Sequence, residues 1–169
     1  SINSLIYQKL LFIRLMSLNK SNLTDNTLVT FYPICDDYYA LTEGASVNRI
    51  DIETLELLEK TNIGESIGVA VLTAHPQVMP DGSTYNVGHS ISAGGGYYNV
   101  ICFPKGEKDI KNAKVIAKVP SRFKYHPTYI HSFGITENFV IILETPFVMS
   151  IPLLAKSMIA EVSFINCLK

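Results

Sequence analysis

Charge is scarce in this sequence. Asp, Glu, Lys and Arg make up 17% of its 169 residues, where soluble domains carry about 25%. Hydrophobic residues reach 47%, and the mean hydropathy is +0.21. A disordered chain needs the opposite balance, so disorder is excluded. Net charge is scarce as well, with 14 basic residues against 15 acidic ones. No field of one sign is left to attract phosphate, which excludes an electrostatic nucleic-acid binder. Cys35, Cys102 and Cys167 are odd in number and far apart, with no CxxC pair. A disulfide framework and a zinc finger are therefore not expected, and a reducing compartment is.

Long apolar runs are missing too. The longest, Phe139–Leu143 and Val69–Leu72, are strand-length, far below the roughly 18 residues that span a bilayer. No small-residue cleavage site follows the N-terminal apolar stretch, so no signal peptide is expected. Several catalytic signatures are absent. There is no HExxH, and Gly94–Gly96 lacks the Lys and Ser/Thr of a phosphate loop. Ser132 adjoins His131, but neighbours on a strand point to opposite faces and cannot form a dyad. No cysteine has a basic neighbour that would lower its pKa.

What is present begins with an unusual N-terminal segment. Ser1–Thr24 contains no acid, and sets Lys9, Arg14 and Lys20 among Leu5, Ile6, Leu10, Leu11, Phe12, Ile13, Leu15, Met16 and Leu18. Such a segment suits a membrane interface, where lipid takes the apolar face and anionic headgroups the cations. It equally suits an ordinary helix buried against the rest of the protein.

After Leu23 the texture turns to β. The pattern predicts strands at Leu28–Ile34, Tyr38–Thr42, Val47–Ile52, Gly68–His75, Ser83–Ile91, Tyr97–Phe103, Ala113–Val119, Pro127–Ile135 and Phe139–Glu144. Leu55–Lys60 reads as a helical turn too short to stand alone. Asp81-Gly82 marks a hairpin, with both positions able to take φ > 0. Gly94–Gly96 reads as a flexible loop, and Asp51–Thr54 as a turn. Eight or nine short strands with few helices indicate an all-β antiparallel protein, and sandwich, barrel and propeller all fit.

Histidines and one acid are the candidate chemistry. His75 ends an apolar strand and His131 lies inside TYIHSFGI. Each reads either as a satisfied histidine or as a ligand pointing at a central axis. No two of the four histidines, His89 and His126 included, have the i, i+4 spacing of a helical metal site. Glu43, in ALTEGAS, is either exposed at a strand end or buried and paired, and the second case requires a donor.

Three stretches resemble the carotenoid cleavage oxygenases. They are Thr24–Thr54 (TDNTLVTFYPICDDYYALTEGASVNRIDIET), Leu72–Gly88 (LTAHPQVMPDGSTYNVG) and Ser121–Pro146 (SRFKYHPTYIHSFGITENFVIILETP). The resemblance is strongest to the animal branch, which includes the retinal pigment epithelium isomerase, the β-carotene oxygenases and the insect carotenoid isomerooxygenase. FPKGEKDIKNAKVIAKVP and the ending FINCLK look most like the insect members.

This resemblance implies a seven-bladed β-propeller, of which the chain supplies about two to three blades over residues 24–169. Residues 1–23 then form an amphipathic, helical interfacial segment. It implies one Fe(II) on the propeller axis held by four histidines. His75 and His131 match two metal ligands, while the other two are expected beyond this chain. Glu43 matches a carboxylate that hydrogen-bonds a ligand imidazole, and Thr42 and Tyr129 match positions near the iron and the substrate tunnel. The implied partners are a carotenoid or retinoid polyene, O2 and a membrane surface. The implied location is cytoplasmic, peripheral to a membrane of endoplasmic-reticulum type, with Arg122–Lys124 and Leu153–Met158 on the same face. The implied reaction is oxidative cleavage of a double bond to aldehydes, coupled in insect members to trans–cis isomerisation. Family enzymes are roughly three times this length. The chain is therefore expected to be a fragment, inactive alone because two imidazoles hold iron weakly. The alternative expectation is a truncated, non-catalytic carotenoid- or retinoid-binding paralogue at a membrane.

Overall fold

The computed structural model describes residues 26–160, with side chains in the last helix described through Ala155. The segment 1–23, Cys167 and the FINCLK ending lie outside the described residues, as do the side chains of Lys156–Met158. The described chain is all-β, with two antiparallel sheets, a small hairpin and three short helical elements.

The first sheet is a meander of β1 (Thr30–Ile34), β2 (Asp37–Leu41), β3 (Ser46–Ile50) and β4 (Leu57–Asn62), in that order. β1 is an edge strand, which suits Pro33 because proline has no N–H for a second ladder. Cys35 (φ 55°) and Asp36 (φ 70°) connect β1 to β2. With Ile34 paired to Asp37, this is a two-residue hairpin of the type that needs φ > 0 at both positions. The expected turn after β3 forms on Asp51, whose Oδ1 accepts from the N–H groups of Glu53 (2.9 Å) and Thr54 (2.8 Å).

The helical turn expected at Leu55–Lys60 does not form. Leu57–Asn62 is strand β4. Six residues cannot nucleate a helix alone, whereas the open edge of β3 offers backbone partners at once. Arg49 also lies opposite Glu59 in the register, with its Nε 3.7 Å from the carboxylate. A one-turn helix, α1 (Ile63–Ile67), follows instead, capped by the Asn62 side chain accepting from Gly64 N–H at 3.0 Å.

The second sheet holds β5 (Val71–Leu72), β6 (Gln77–Val78), β7 (Thr84–Ser92), β8 (Gly95–Phe103) and β9 (Lys114–Pro120). Its order is β5-β7-β8-β9, and β6 also pairs with β7. The single strand expected over Gly68–His75 is thus only Val71–Leu72. The chain leaves the edge of β7 at Thr73 and rejoins it at Gln77. Asp81-Gly82 does form a turn, but only Gly82 takes positive φ (88°). Gly82 N–H donates to Met79 O (2.9 Å), so Pro80 and Asp81 are the central residues of the turn.

Gly94–Gly96 is not a loose loop. Gly95 and Gly96 already belong to β8. Gly96 N–H donates to Lys124 O at 2.8 Å, and a Cβ on Gly95 (φ 121°) would lie 2.3 Å from that same oxygen. The glycines let the segment 121–127 press onto the start of β8. Pro127–Ile135 and Phe139–Glu144 are likewise shorter as strands than the pattern predicts. Only β10 (Gly134–Ile135) and β11 (Val140–Ile141) pair, with an isolated bridge from Thr128 to Val148. These segments have few neighbours among the described residues, and Phe139 and Leu143 are more than 70% exposed. A ten-residue helix, α2 (Ile151–Ala160), follows.

The core has two main parts on either side of the second sheet. Ile34, Tyr39, Leu41 and Val47 of the first sheet meet Leu72, Ile101 and Phe103. Val87 and Tyr98 meet Ile130 and Phe133. In the second part, buried polar groups bracket one residue. Thr128 N–H donates to the Tyr98 hydroxyl (2.9 Å), and Thr128 O lies 2.9 Å from His89 Nε2. The carbonyl only accepts, so Nε2 carries the proton. Tyr98 in turn donates to Glu144 Oε1 at 2.8 Å. That oxygen also accepts from Arg122 N–H at 3.0 Å.

Two expectations follow. Replacing Cys35-Asp36 by Asn-Gly relieves the left-handed backbone and raises unfolding free energy by about 1 kcal/mol, read as a higher urea midpoint. His89 is a neutral buried imidazole whose pKa falls from 6.5 to about 4 through burial, against the raising effect of the Thr128 bond. The unfolded chain takes up that proton first as pH falls, so stability drops from pH 6.5 down to about 4, by roughly 3 kcal/mol in all. His89→Gln keeps a donor for Thr128 O and should remove that acid limb. An unchanged limb would show that other groups cause it.

Candidate functional site

Side chains from three separate segments converge beside the sheets. Glu43 comes from the Thr42–Ala45 loop between β2 and β3, His75 from the Thr73–Pro76 excursion between β5 and β6, and Tyr129 and His131 from the segment before β10. His75 Nε2 and His131 Nε2 lie 3.0 Å apart. Their rings meet edge-on, with centroids 4.5 Å apart and planes at 62°. The far nitrogen of His131, Nδ1, hydrogen-bonds Glu43 Oε1, and the other carboxylate oxygen accepts from the Tyr129 hydroxyl. His131 is 58% exposed and Glu43 27%, so the cluster opens to solvent at His131.

The hydrogen-bond logic is directional. A carboxylate only accepts, so Glu43 places the proton of His131 on Nδ1 and leaves the Nε2 lone pair facing His75. Both oxygens of Glu43 are engaged, which resists rotation of the carboxylate. Burial first, and then the hydrogen bond and charge of Glu43, push the Tyr129 phenol up from its usual value. Tyr129 therefore stays protonated and keeps donating.

Each segment is held from below. The Thr128 bracket described above fixes the chain just before Tyr129 and His131. Below His75, Thr73 Oγ1 donates to Asn86 Oδ1 (2.6 Å), Asn86 Nδ2 donates to Thr73 O (2.9 Å), and His75 N–H donates to Thr73 Oγ1 (3.3 Å). Sequence reasoning missed Thr73, Asn86, Tyr98, Thr128 and Glu144. The available signal was polar residues placed inside apolar strands, where a buried polar group requires a partner.

The expected site residues are not all placed alike. Glu43, Tyr129, His75 and His131 come together. Thr42 lines a small cavity with Thr73 and Asn86 on the inner side of the loop. His89 is used in the core, and His126 belongs to a turn, donating its N–H to Phe123 O at 2.7 Å. Cys35 is no nucleophile, because burial, and then the acids around it with Glu107 foremost, push its thiol up to about 11. A groove of about 620 Å3 lies elsewhere, between Met79–Tyr85, Ile116 and the β10–β11 hairpin.

The histidine pair fits a metal ion. Two imidazole nitrogens bound at right angles to one first-row ion, each about 2.1 Å from it, lie about 3 Å apart. The carboxylate on the far nitrogen of a ligand histidine is the usual second partner at such sites. Among the described residues, no group of three or more histidine, cysteine or carboxylate side chains is arranged to hold a metal.

Comparison with known proteins shows which family the chain is similar to. The model of the retinal pigment epithelial membrane protein family matches residues 5–167. The chain is 41% identical over 151 residues to a carotenoid isomerooxygenase of Galleria mellonella, covering 87% of this chain and 29% of that protein. It is 36% identical over 154 residues to a beta,beta-carotene 15,15'-dioxygenase of Rattus norvegicus, covering 86% and 27%. Among solved structures, a Synechocystis apocarotenoid oxygenase superposes with a TM-score of 0.61 at 19% identity, over 88% of this chain and 30% of that one. A lignostilbene dioxygenase of Pseudomonas brassicacearum gives 0.53 at 24% identity, over 82% and 27%. The chain thus spans under a third of the length of these relatives. With a family match over nearly its whole length, the chain belongs to the retinal pigment epithelial membrane protein family, whose relatives here are carotenoid oxygenases.

Proposed function

We propose that His75 and His131 are two of the ligands of a single Fe(II) ion in a carotenoid oxygenase. The observation that carries this reading is the 3.0 Å approach of their two Nε2 atoms, with Glu43 on the far nitrogen of His131. When bound, the iron supplies open positions for O2 beside neutral imidazoles that leave its charge uncancelled. The reaction breaks one carbon–carbon double bond of a carotenoid or retinoid polyene. Both atoms of O2 enter the products, giving two carbonyl groups. In this scheme Glu43 orients the His131 ring, fixes its tautomer and raises the basicity of Nε2. Tyr129 holds Glu43 in place by its second oxygen. The two sheets serve as blades of a seven-bladed propeller whose axis carries the ion.

A polyene dissolves in lipid, so the protein works against a membrane face. The exposed run Arg122-Phe123-Lys124-Tyr125 supports this, with Phe123 and Tyr125 each 44% exposed and Lys124 Nζ 5.2 Å from the Tyr125 ring centre. Aromatic faces flanked by cations suit the headgroup layer. The attachment is peripheral in this reading; among the described residues, no helix is long and apolar enough to cross a membrane.

The test uses the protein isolated from its natural source, with anaerobic Fe(II) content and aldehyde release from β-carotene as readouts. His75→Ala and His131→Ala should each abolish both, and Glu43→Gln should lower iron affinity by about 10- to 100-fold. Full activity in His131→Ala would overturn the ligand assignment. For the membrane face, Arg122→Glu with Lys124→Glu should weaken sedimentation with anionic phospholipid vesicles severalfold. Binding equal to that of the unsubstituted protein would place the lipid contact elsewhere.

A further inference from the structure

His75 occupies an unusual place for a residue with a positional task. It lies in neither a strand nor a helix, on the four residues where the chain leaves the edge of β7 between β5 and β6. Backbone on such an excursion has lost its ladder partners, and here a side chain replaces them. Asn86 projects from β7 and takes both sides of Thr73. Its Oδ1 accepts from Thr73 Oγ1 at 2.6 Å and from Val87 N–H at 2.8 Å, and its Nδ2 donates to Thr73 O at 2.9 Å. Thr73 N–H donates to Val87 O at 2.9 Å. The hydroxyl of Thr73 then accepts from the backbone N–H of His75 at 3.3 Å. Thr73 and Asn86 are 2% and 3% exposed, so water does not readily replace the bonds between them.

We propose that Thr73 and Asn86 are positioning residues for His75, setting the backbone of the excursion so that Nε2 meets His131 Nε2 at ligand spacing. This rests on the reading of His75 and His131 as metal ligands. The reasoning is geometric. His131 has its own orienting group in Glu43, whereas among the described residues no carboxylate is seen on the ring of His75. The aim of that ring depends on its backbone, and the backbone depends on one hydroxyl. Thr73 is the sole side chain in the chain of bonds that touches both Asn86 and the His75 amide. Thr73→Val keeps shape and volume while deleting both hydroxyl bonds. Thr73→Ser keeps the hydroxyl and loses a methyl.

The experiment uses Cu(II) as the probe, since it binds nitrogen ligands tightest among first-row divalent ions. One equivalent is added to the full 169-residue chain, and affinity and the number of coupled nitrogens are read by electron paramagnetic resonance. The unsubstituted chain should show a two-nitrogen centre that His75→Ala reduces to one. Thr73→Val should bind about 10- to 100-fold more weakly, with one coupled nitrogen. Thr73→Ser should stay near the unsubstituted chain. Ile110→Ala, which destabilises the core cluster that also holds Ala74 but deletes none of the Thr73, Asn86 or His75 bonds, should keep two nitrogens. Should Thr73→Val fail to fold, Thr73→Ala, which adds no clash, is read in the same way.

A His75-dependent centre that Thr73→Val leaves at full affinity with two nitrogens overturns the positioning role and spares the ligand reading. So does equal weakening in Thr73→Ser, Thr73→Val and Ile110→Ala, which marks the clamp as structural only. Absence of any His75-dependent copper in the unsubstituted chain overturns the ligand reading and the clamp together.

Discussion

Two of the buried polar side chains on the central strand β7 each pin a stretch of chain that has left regular structure. Asn86 holds Thr73 on one side, and His89 holds the Thr128 carbonyl on the other. Being three apart, they point to opposite faces of the strand. β7 is paired along its length with β8, so both anchors sit on a continuously paired strand. The segments bearing His75 and His131 are irregular, yet each is tied within three residues of its histidine to the same strand. The 3.0 Å approach of the two rings depends on this common base.

That arrangement explains why an all-β scaffold spends buried hydrogen bonds in its interior. Buried polar groups stabilise little on net, but leaving one unpaired costs about 1–3 kcal/mol. A satisfied network therefore punishes every backbone path except the one that completes it. Tyr98 shows the principle at its densest. Its hydroxyl accepts from Thr128 N–H and donates to Glu144, and burial foremost raises its pKa, keeping it a donor. The apolar parts of the core set the distance between layers, and the polar bonds set where the excursions run.

The outer parts follow a different logic. All seven residues of β9 are exposed, including Val115, Ile116 and Val119, and Leu57 and Leu58 on β4 are half exposed. These are edge strands, each hydrogen-bonded on one side among the described residues. Lys114 and Lys118 on β9 and Lys60 on β4 place charge along those edges, a pattern that discourages pairing with the wrong chain.

Much was legible from residue order alone. Alternation and β-branched content located most of the strands, Asp51 and Gly82 marked their turns, and the low charge pointed to a buried sheet protein. The motifs around TAHP, YIHSFG and Glu43 carried the resemblance that singled out the histidines. Three things needed the folded chain. Leu57–Asn62 became a strand because β3 presented an open edge, which no local pattern encodes. Gly95 and Gly96 proved to be contact points because Lys124 and Pro127 arrive from roughly thirty positions away. Asn86 and His89 looked like ordinary polar residues, since a buried hydrogen bond is defined by its partner, and the partner is brought close only by tertiary structure. Sequence determined which groups are available for chemistry. Tertiary structure decided which of them meet, because a lone pair acts only where another segment is held within about 3 Å of it.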